Sequence, residues 1–296
     1  MRVLVAGASG FVGRRLCPAL RDAGHSVRAM TRHPDTYQGA GEAVRGDVRD
    51  PRSLKEALAG CDAAYYLVHS LDSSDFEQRD ADAARAFAEA GKRLRQIVYL
   101  GGLGDDADEL SPHLRSRREV ETLLGTCGVP VTTLRAGIVV GHGGISWEMT
   151  RQLVEHLPVM VTPRWVRTLT QPIAVADVVR YLVGVLDQSA AFDRAFDIGG
   201  PEVLPYVDMM RRVAVIEGRP LLVVPVPLLT PQLSSLWLSL VTSVDFQTGR
   251  TLIESMGNEV VVRDDSIRKI VDFEPMGYDE AVLQALGERA KAERSS

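Results

Sequence analysis

Over roughly the first 140 residues, short apolar runs alternate with amphipathic stretches. The runs are Val3-Leu4-Val5-Ala6, Ser26-Val27-Arg28-Ala29-Met30, a short one within residues 42–48, and residues 63–68, 96–100 and 131–135. Helical periodicity fills the gaps. It covers residues 11–23, closed by Gly24, and residues 51–58 behind an Asp50-Pro51 start. It then covers residues 75–90, closed by Gly91, and residues 113–124 behind Ser111-Pro112. Asp or Ser at the N-cap, Pro at the first helical position and Gly just past the end are the expected punctuation. Near-continuous apolar strands separated by helices predict a parallel sheet covered on both faces, that is, an α/β Rossmann-type doubly wound fold. The carboxyl ends of all strands then share one edge, and Gly7, Arg32, Asp47, Val68, Gly101 and Gly137 line one crevice.

Beyond residue 140 the pattern is less regular. It predicts helices over residues 146–156, 174–186 and 207–217 and a short strand with a turn over 196–201. Residues 157–167, rich in proline and apolar side chains, read as a loop over the crevice. The division that follows is a dinucleotide domain over residues 1–140, completed by about 168–200. A smaller carboxyl-terminal α/β lobe for substrate or partner, over residues 141–296, is intertwined with it. Residues 221–244 carry no charge, but Pro225, Pro227 and Pro231 interrupt any continuous spanning helix. Thr230-Pro231 reads instead as a helix start, followed by Leu233, Leu236, Trp237, Leu240 and Val241 at one-face spacing. Core packing, an apolar substrate wall and a face resting on a membrane all satisfy that spacing.

Composition narrows the function classes. The formal net charge of −5 argues against a general nucleic-acid surface, and an aromatic content of 6% is thin for a base-stacking platform. Cys17, Cys61 and Cys127 form no pair motif, as expected of free thiols in a reducing compartment. Met1-Arg2 leads straight into the first strand, so the expectation is a cytoplasmic chain without a secretory leader. The histidines show no metal-ligand spacing, and no serine-hydrolase elbow is present.

The densest chemistry lies in Gly7-Ala8-Ser9-Gly10-Phe11-Val12-Gly13, between the first strand and the first helix. Gly7 permits the sharp exit, Gly10 lets backbone approach a phosphate, and Gly13 lets the helix pack on the sheet. The helix amino terminus offers N–H groups and a positive dipole end to a pyrophosphate, with Ser9 as a further contact. An NAD-preferring fold usually places an acid about twenty residues onward, for the ribose 2′-hydroxyl. Here Thr31-Arg32-His33-Pro34 stands instead. Arg32, helped by Arg14 or His33, predicts a 2′-phosphate and therefore NADP(H) over NAD(H).

The glycine turn, Gly46-Asp47-Val48, Arg135-Ala136-Gly137 and Gln171-Pro172-Ile173-Ala174-Val175-Ala176-Asp177-Val178 together resemble the short-chain dehydrogenase/reductase superfamily. The likeness is to its extended and atypical branches, above all the NAD(P)H-binding, NmrA-like and complex-I-subunit-like group. The resemblance places Asp47 and Val48 by the adenine, and Leu67, Val68 and His69 by the ribose and nicotinamide. Gly101, Gly102, Arg117, Gly137 and Ile138 complete the cofactor set. Active members carry Ser or Thr after the fifth strand, then a Tyr and a Lys four residues apart. Here those places hold Gly101-Gly102 and, within His113-Leu114-Arg115-Ser116-Arg117, His113 and Arg117. His113 would take the proton-exchanging place and Arg117 the ribose-holding one. The loop Gly141-His142-Gly143-Gly144 reads as a lid or a connector. Trp147, residues 157–161, Trp165 and Trp237 hint at an apolar acceptor. Three functions stay open: an oxidoreductase acting on an apolar carbonyl or quinone without the Tyr/Lys pair, a catalytically silent nucleotide-sensing or assembly protein with a protein partner, and a nucleotide-dependent epimerase or isomerase.

Overall fold

The structure is a computed structural model that describes residues 1–70, 75–162, 164–225, 249 and 255–295. Its frame is one seven-stranded sheet. The chain enters through β1 (Arg2–Ala6), turns into α1 (Gly13–Asp22) and continues through β2 (Ser26–Thr31), β3 (Glu42–Arg45), α2 (Pro51–Leu58) and β4 (Ala63–Tyr66). Then come α3 (Phe76–Ala90), β5 (Gln96–Gly102), α4 (Pro112–Leu124) and β6 (Val131–Ala136). The expected caps close: Asp50 accepts from the Arg52 N–H at 3.0 Å and Ser111 from the Leu114 N–H at 3.3 Å.

After β6 the chain builds β7 (Val139–Val140), α5 (Ile145–His156), β8 (Val159–Thr162), β9 (Leu169–Thr170), β10 (Ile173–Ala174) and α6 (Val175–Gly184). It returns to the main sheet as β11 (Arg194–Ile198), then forms β12 (Leu204–Pro205), α7 (Tyr206–Ile216), β13 (Leu222–Pro225) and α8 (Tyr278–Ser295). The sheet order is β11-β6-β5-β4-β1-β2-β3, every pair parallel. The order reverses between β1 and β4, so the glycine turn after β1 opens at the switch point where such sheets bind ligands.

Strand parity sorts the core. Val3, Val5, Ala29, Tyr65 and Val98 face α1 and α6, while Leu4, Ala6, Met30, Tyr66 and Tyr99 face α2, α3 and α4. A third cluster, around Trp147, Met160, Tyr206, Met209 and Val282, belongs to the carboxyl-terminal part. Two expectations change there. Residues 157–167 are no loop over the crevice: Val159–Thr162 is a strand paired in parallel with Leu222–Pro225, and Leu222 N–H donates to the Pro158 carbonyl. Trp147, at 1% exposure, is core and faces no substrate. The helix expected after Thr230 and the side chains of Trp165 and Trp237 lie outside the described residues. No helix among the described residues is long and apolar enough to cross a membrane.

Candidate functional site

The crevice along the carboxyl ends of β1, β2, β4, β5 and β6 has a volume of about 720 Å³. Its middle is the glycine turn. Gly7 has φ +88°, a left-handed conformation that L side chains rarely adopt, and Gly10 N–H donates to the Gly7 carbonyl at 3.0 Å. A Cβ on Gly13 would overlap the Gly7 carbonyl oxygen, so α1 sits against the turn at a distance only glycine permits. The amino terminus of α1 has no side-chain cap and no acid in its first turn. Its N–H groups and dipole are therefore left to an anion.

At one end lies Arg32. Thr31 Oγ1 accepts from the His33 N–H at 3.2 Å and fixes the loop that carries it. Arg32 is exposed, lines the crevice and makes no hydrogen bond or ion pair among the described residues. Beside it, Asp47 is held by Arg49 at 3.1 Å. That hydrogen bond, with the charges of Arg49 and Arg32, lowers the Asp47 pKa against the effect of burial. Arg14, expected to assist at the 2′ position, is engaged elsewhere: its guanidinium donates to the His142 carbonyl at 2.6 Å. His33 is likewise not among the lining residues.

At the other end, β4 delivers Leu67, Val68 and His69, β5 delivers Gly101 and Gly102, and α4 brings His113 and Arg117. Burial, then the charge of Arg117, lowers the His113 pKa to about 3. Desolvation, Arg117 and His113 hold His69 well below the usual histidine range, although its side chain is exposed at the crevice. Both shifts favour the neutral ring near pH 7. The missing hydroxyl at Gly102 has a steric counterpart, because a Cβ there would lie 2.8 Å from Leu114 Cδ2 and 3.5 Å from Arg117 Cγ.

Every expected cofactor residue lines this crevice except Ile138: Gly7, Ser9, Gly10, Phe11, Val12, Gly13, Arg32, Asp47, Val48, Leu67, Val68, His69, Gly101, Gly102, Arg117 and Gly137. Ile138 is 6% exposed and packs in the carboxyl-terminal cluster with Val140. Gly137 and Val139 take the crevice side.

Sequence reasoning did not place Asp80, Ile145 or Ser146 at the site; they line the crevice together with Ser70 and with Gly143 and Gly144 of the loop read as a lid or a connector. Asp80 carried a signal: it falls in the buried stripe Phe76, Asp80, Ala83, Ala84, Phe87 of α3, where an acid needs a reason. The loop before α5 is pinned. Arg14 and Arg15 both donate to the His142 carbonyl, at 2.6 and 2.9 Å, and Glu148 accepts from the Gly143 N–H at 2.9 Å. Arg15 also pairs with Glu288 of α8. These contacts tie the carboxyl-terminal part to the helix behind the glycine turn.

The site fits a dinucleotide by its uncapped helix start, its side-chain-free turn and its unpaired Arg32. Among the described residues no group of three or more His, Cys, Asp or Glu is arranged to hold a metal.

Comparison with known proteins agrees. Residues 7–189 match a family described as NAD(P)H-binding. An uncharacterised protein of Mycobacterium tuberculosis is 27% identical over 232 residues; these are 77% of this chain, which spans only 25% of that protein. A (4-alkanoyl-5-oxo-2,5-dihydrofuran-3-yl)methyl phosphate reductase of Streptomyces griseus is 30% identical over 231 residues, 74% of this chain and 75% of the relative. In fold, the chain is similar to an NADPH-dependent quinone oxidoreductase of Escherichia coli solved with NADPH. The TM-score is 0.78 at 16% identity, covering 97% of this chain and 100% of the other. A glycine turn at the switch point, a crevice lined by the residues that the motif singles out and a family match over more than half its length lead to one assignment: the chain belongs to the family described as NAD(P)H-binding.

Proposed function

We propose that the chain is an NADP(H)-dependent reductase of an apolar carbonyl or quinone-type acceptor, working without the Tyr/Lys pair. The observation that carries this reading is the continuity of the crevice, from unpaired Arg32 through the glycine turn to His113 and Arg117. Arg32 would hold the 2′-phosphate, and the turn and α1 the pyrophosphate. Asp47 and Val48 would flank the adenine, with Val68, His69 and Gly137 along the ribose and nicotinamide. In this reading residues 1–140 and about 168–200 form the cofactor domain. The rest is a smaller lobe that reaches the crevice through residues 143–146.

When bound, the dinucleotide supplies a hydride. The chain's own residues must then stabilise the negative charge that gathers on the acceptor oxygen. Arg117 offers a permanent charge that it does not release as a proton. His113, with a pKa of about 3, offers the N–H of a neutral ring and almost no imidazolium at neutral pH. Fixed donors of this kind stabilise an oxyanion without protonating it. They suit acceptors whose reduced form is itself a delocalised oxyanion, as quinones and conjugated carbonyls give. Ile145, 39% exposed at the crevice, supplies an apolar wall with Val139 and Leu100. The Streptomyces relative, a reductase by name, supports the reaction class.

The test is NADPH consumption with 1,4-naphthoquinone, a conjugated enone and a simple aliphatic aldehyde. The reading expects turnover with the first two and little with the third. Binding of NADPH without turnover of any of them would refute the reductase. A second reading, a nucleotide-sensing protein without turnover, would then hold. It draws on Gly102, which carries no hydroxyl and where a Cβ would lie 2.8 Å from Leu114 Cδ2.

A further inference from the structure

Asp80 is a buried carboxylate that the proposed chemistry does not use. It is 4% exposed, stands on α3 and lines the crevice. Its Oδ1 accepts from the Ser70 N–H at 2.9 Å and its Oδ2 from the Ser116 hydroxyl at 3.4 Å. One side chain thus joins three pieces of the site: the β4 end carrying His69, its own helix, and the α4 turn between His113 and Arg117. A buried carboxylate is costly unless hydrogen bonds and a nearby positive charge compensate it.

Arg117 supplies that positive charge. Its charge is felt by Tyr66, His69, Asp80, Tyr99 and His113. The two tyrosines are raised by burial and the two histidines are lowered by it, so all four are neutral near pH 7. Asp80 is the one carboxylate among them. Burial raises its pKa, and the charge of Arg117 with the Ser70 and Ser116 hydrogen bonds opposes that rise. Yet Asp80 and Arg117 form no ion pair within 4.0 Å. Ser70 and Ser116 each hold one oxygen of the carboxylate.

We infer that Asp80 is a positioning residue: tethered to Ser70 and Ser116, it holds the His69 loop against α4 and sets how much of the Arg117 charge reaches an anionic ligand in the crevice. The inference rests on the reading that the crevice takes NADP(H), and it makes a prediction of unusual sign. Asp80→Asn keeps the size and an acceptor for Ser70 but removes the negative charge. Titration calorimetry with NADPH on the full chain should then show binding about three- to tenfold tighter, the gain of one uncovered charge at partly screened distance. In an Arg117→Gln background the same Asp80→Asn change should leave the NADPH Kd within about twofold, because its target is gone. A carboxylate that only supports the fold would not tighten NADPH binding in either background. Unchanged or weaker NADPH binding in Asp80→Asn, or an equal gain in the Arg117→Gln background, overturns the inference.

If Asp80→Asn does not fold, Ser116→Ala carries the test. It frees Oδ2 to close on Arg117, so NADPH should bind more weakly, and an unchanged Kd overturns the inference. Failure of the native chain to bind NADPH is a separate result, which sinks the cofactor reading and this inference with it.

Discussion

Replacing Arg32 by Ala tests the cofactor preference. Arg32 lies at the rim of the crevice, exposed and without a hydrogen bond or ion pair among the described residues. Its neighbour Asp47 is already satisfied by Arg49 at 3.1 Å. The substitution should therefore change folding stability by no more than about 0.5 kcal/mol. Its effect on binding is larger. A charge-assisted hydrogen bond to a phosphate contributes about 1.5–3 kcal/mol, and at 1.4 kcal/mol per decade its loss weakens NADPH about 10- to 150-fold. NADH has no 2′-phosphate to lose, so its Kd should stay within about threefold. Arg32→Lys should recover part of the NADPH affinity, since it restores the charge without the fork. The assay is calorimetric titration of both dinucleotides at one ionic strength, because salt screens an exposed charge. Equal weakening of NADPH and NADH, or no weakening of NADPH, would refute the assignment of Arg32 to the 2′-phosphate.

Other expectations follow from the same geometry. The His113 pKa, near 6.5 when unfolded, is about 3 in the fold, so between these values the unfolded chain binds the extra proton and stability falls as pH falls. His113→Gln removes that penalty. Its melting temperature should drop less between pH 7.5 and pH 5 than that of the native chain, and equal drops would show that His113 titrates normally. Gly102→Ser, which restores the hydroxyl of the superfamily, should not restore its chemistry. The new Cβ would press on Leu114 at 2.8 Å, and overpacking of this kind costs about 1–3 kcal/mol, read by thermal melting. A rise in turnover at unchanged stability would contradict that picture.

Much of this was legible in the chain. The sheet followed from apolar runs parted by amphipathic helices, because a strand buried on both faces must be apolar throughout. The phosphate end of the crevice followed from glycines, whose positions answer to backbone geometry rather than to distant partners. What stayed hidden depends on contacts far apart in sequence. Pro158 and Pro163 made residues 157–167 look like a loop, and only pairing with Leu222–Pro225 shows a strand. That Ile138 packs with Val140 and Trp147 rather than lining the crevice shows only in the folded chain. In the sequence Asp80 is one of several charged residues between positions 75 and 90. Its burial appears only once α3 meets α4 and the end of β4.

The central claim is that one crevice holds NADP(H) along its length, with the reactive end at His113 and Arg117. A crystal structure of the chain with NADP⁺ tests it most directly. The account predicts the 2′-phosphate on Arg32, the pyrophosphate over Gly10 to Gly13 and the nicotinamide beside Gly101, His113 and Arg117. A dinucleotide bound elsewhere, or one with its nicotinamide turned away from α4, would contradict it.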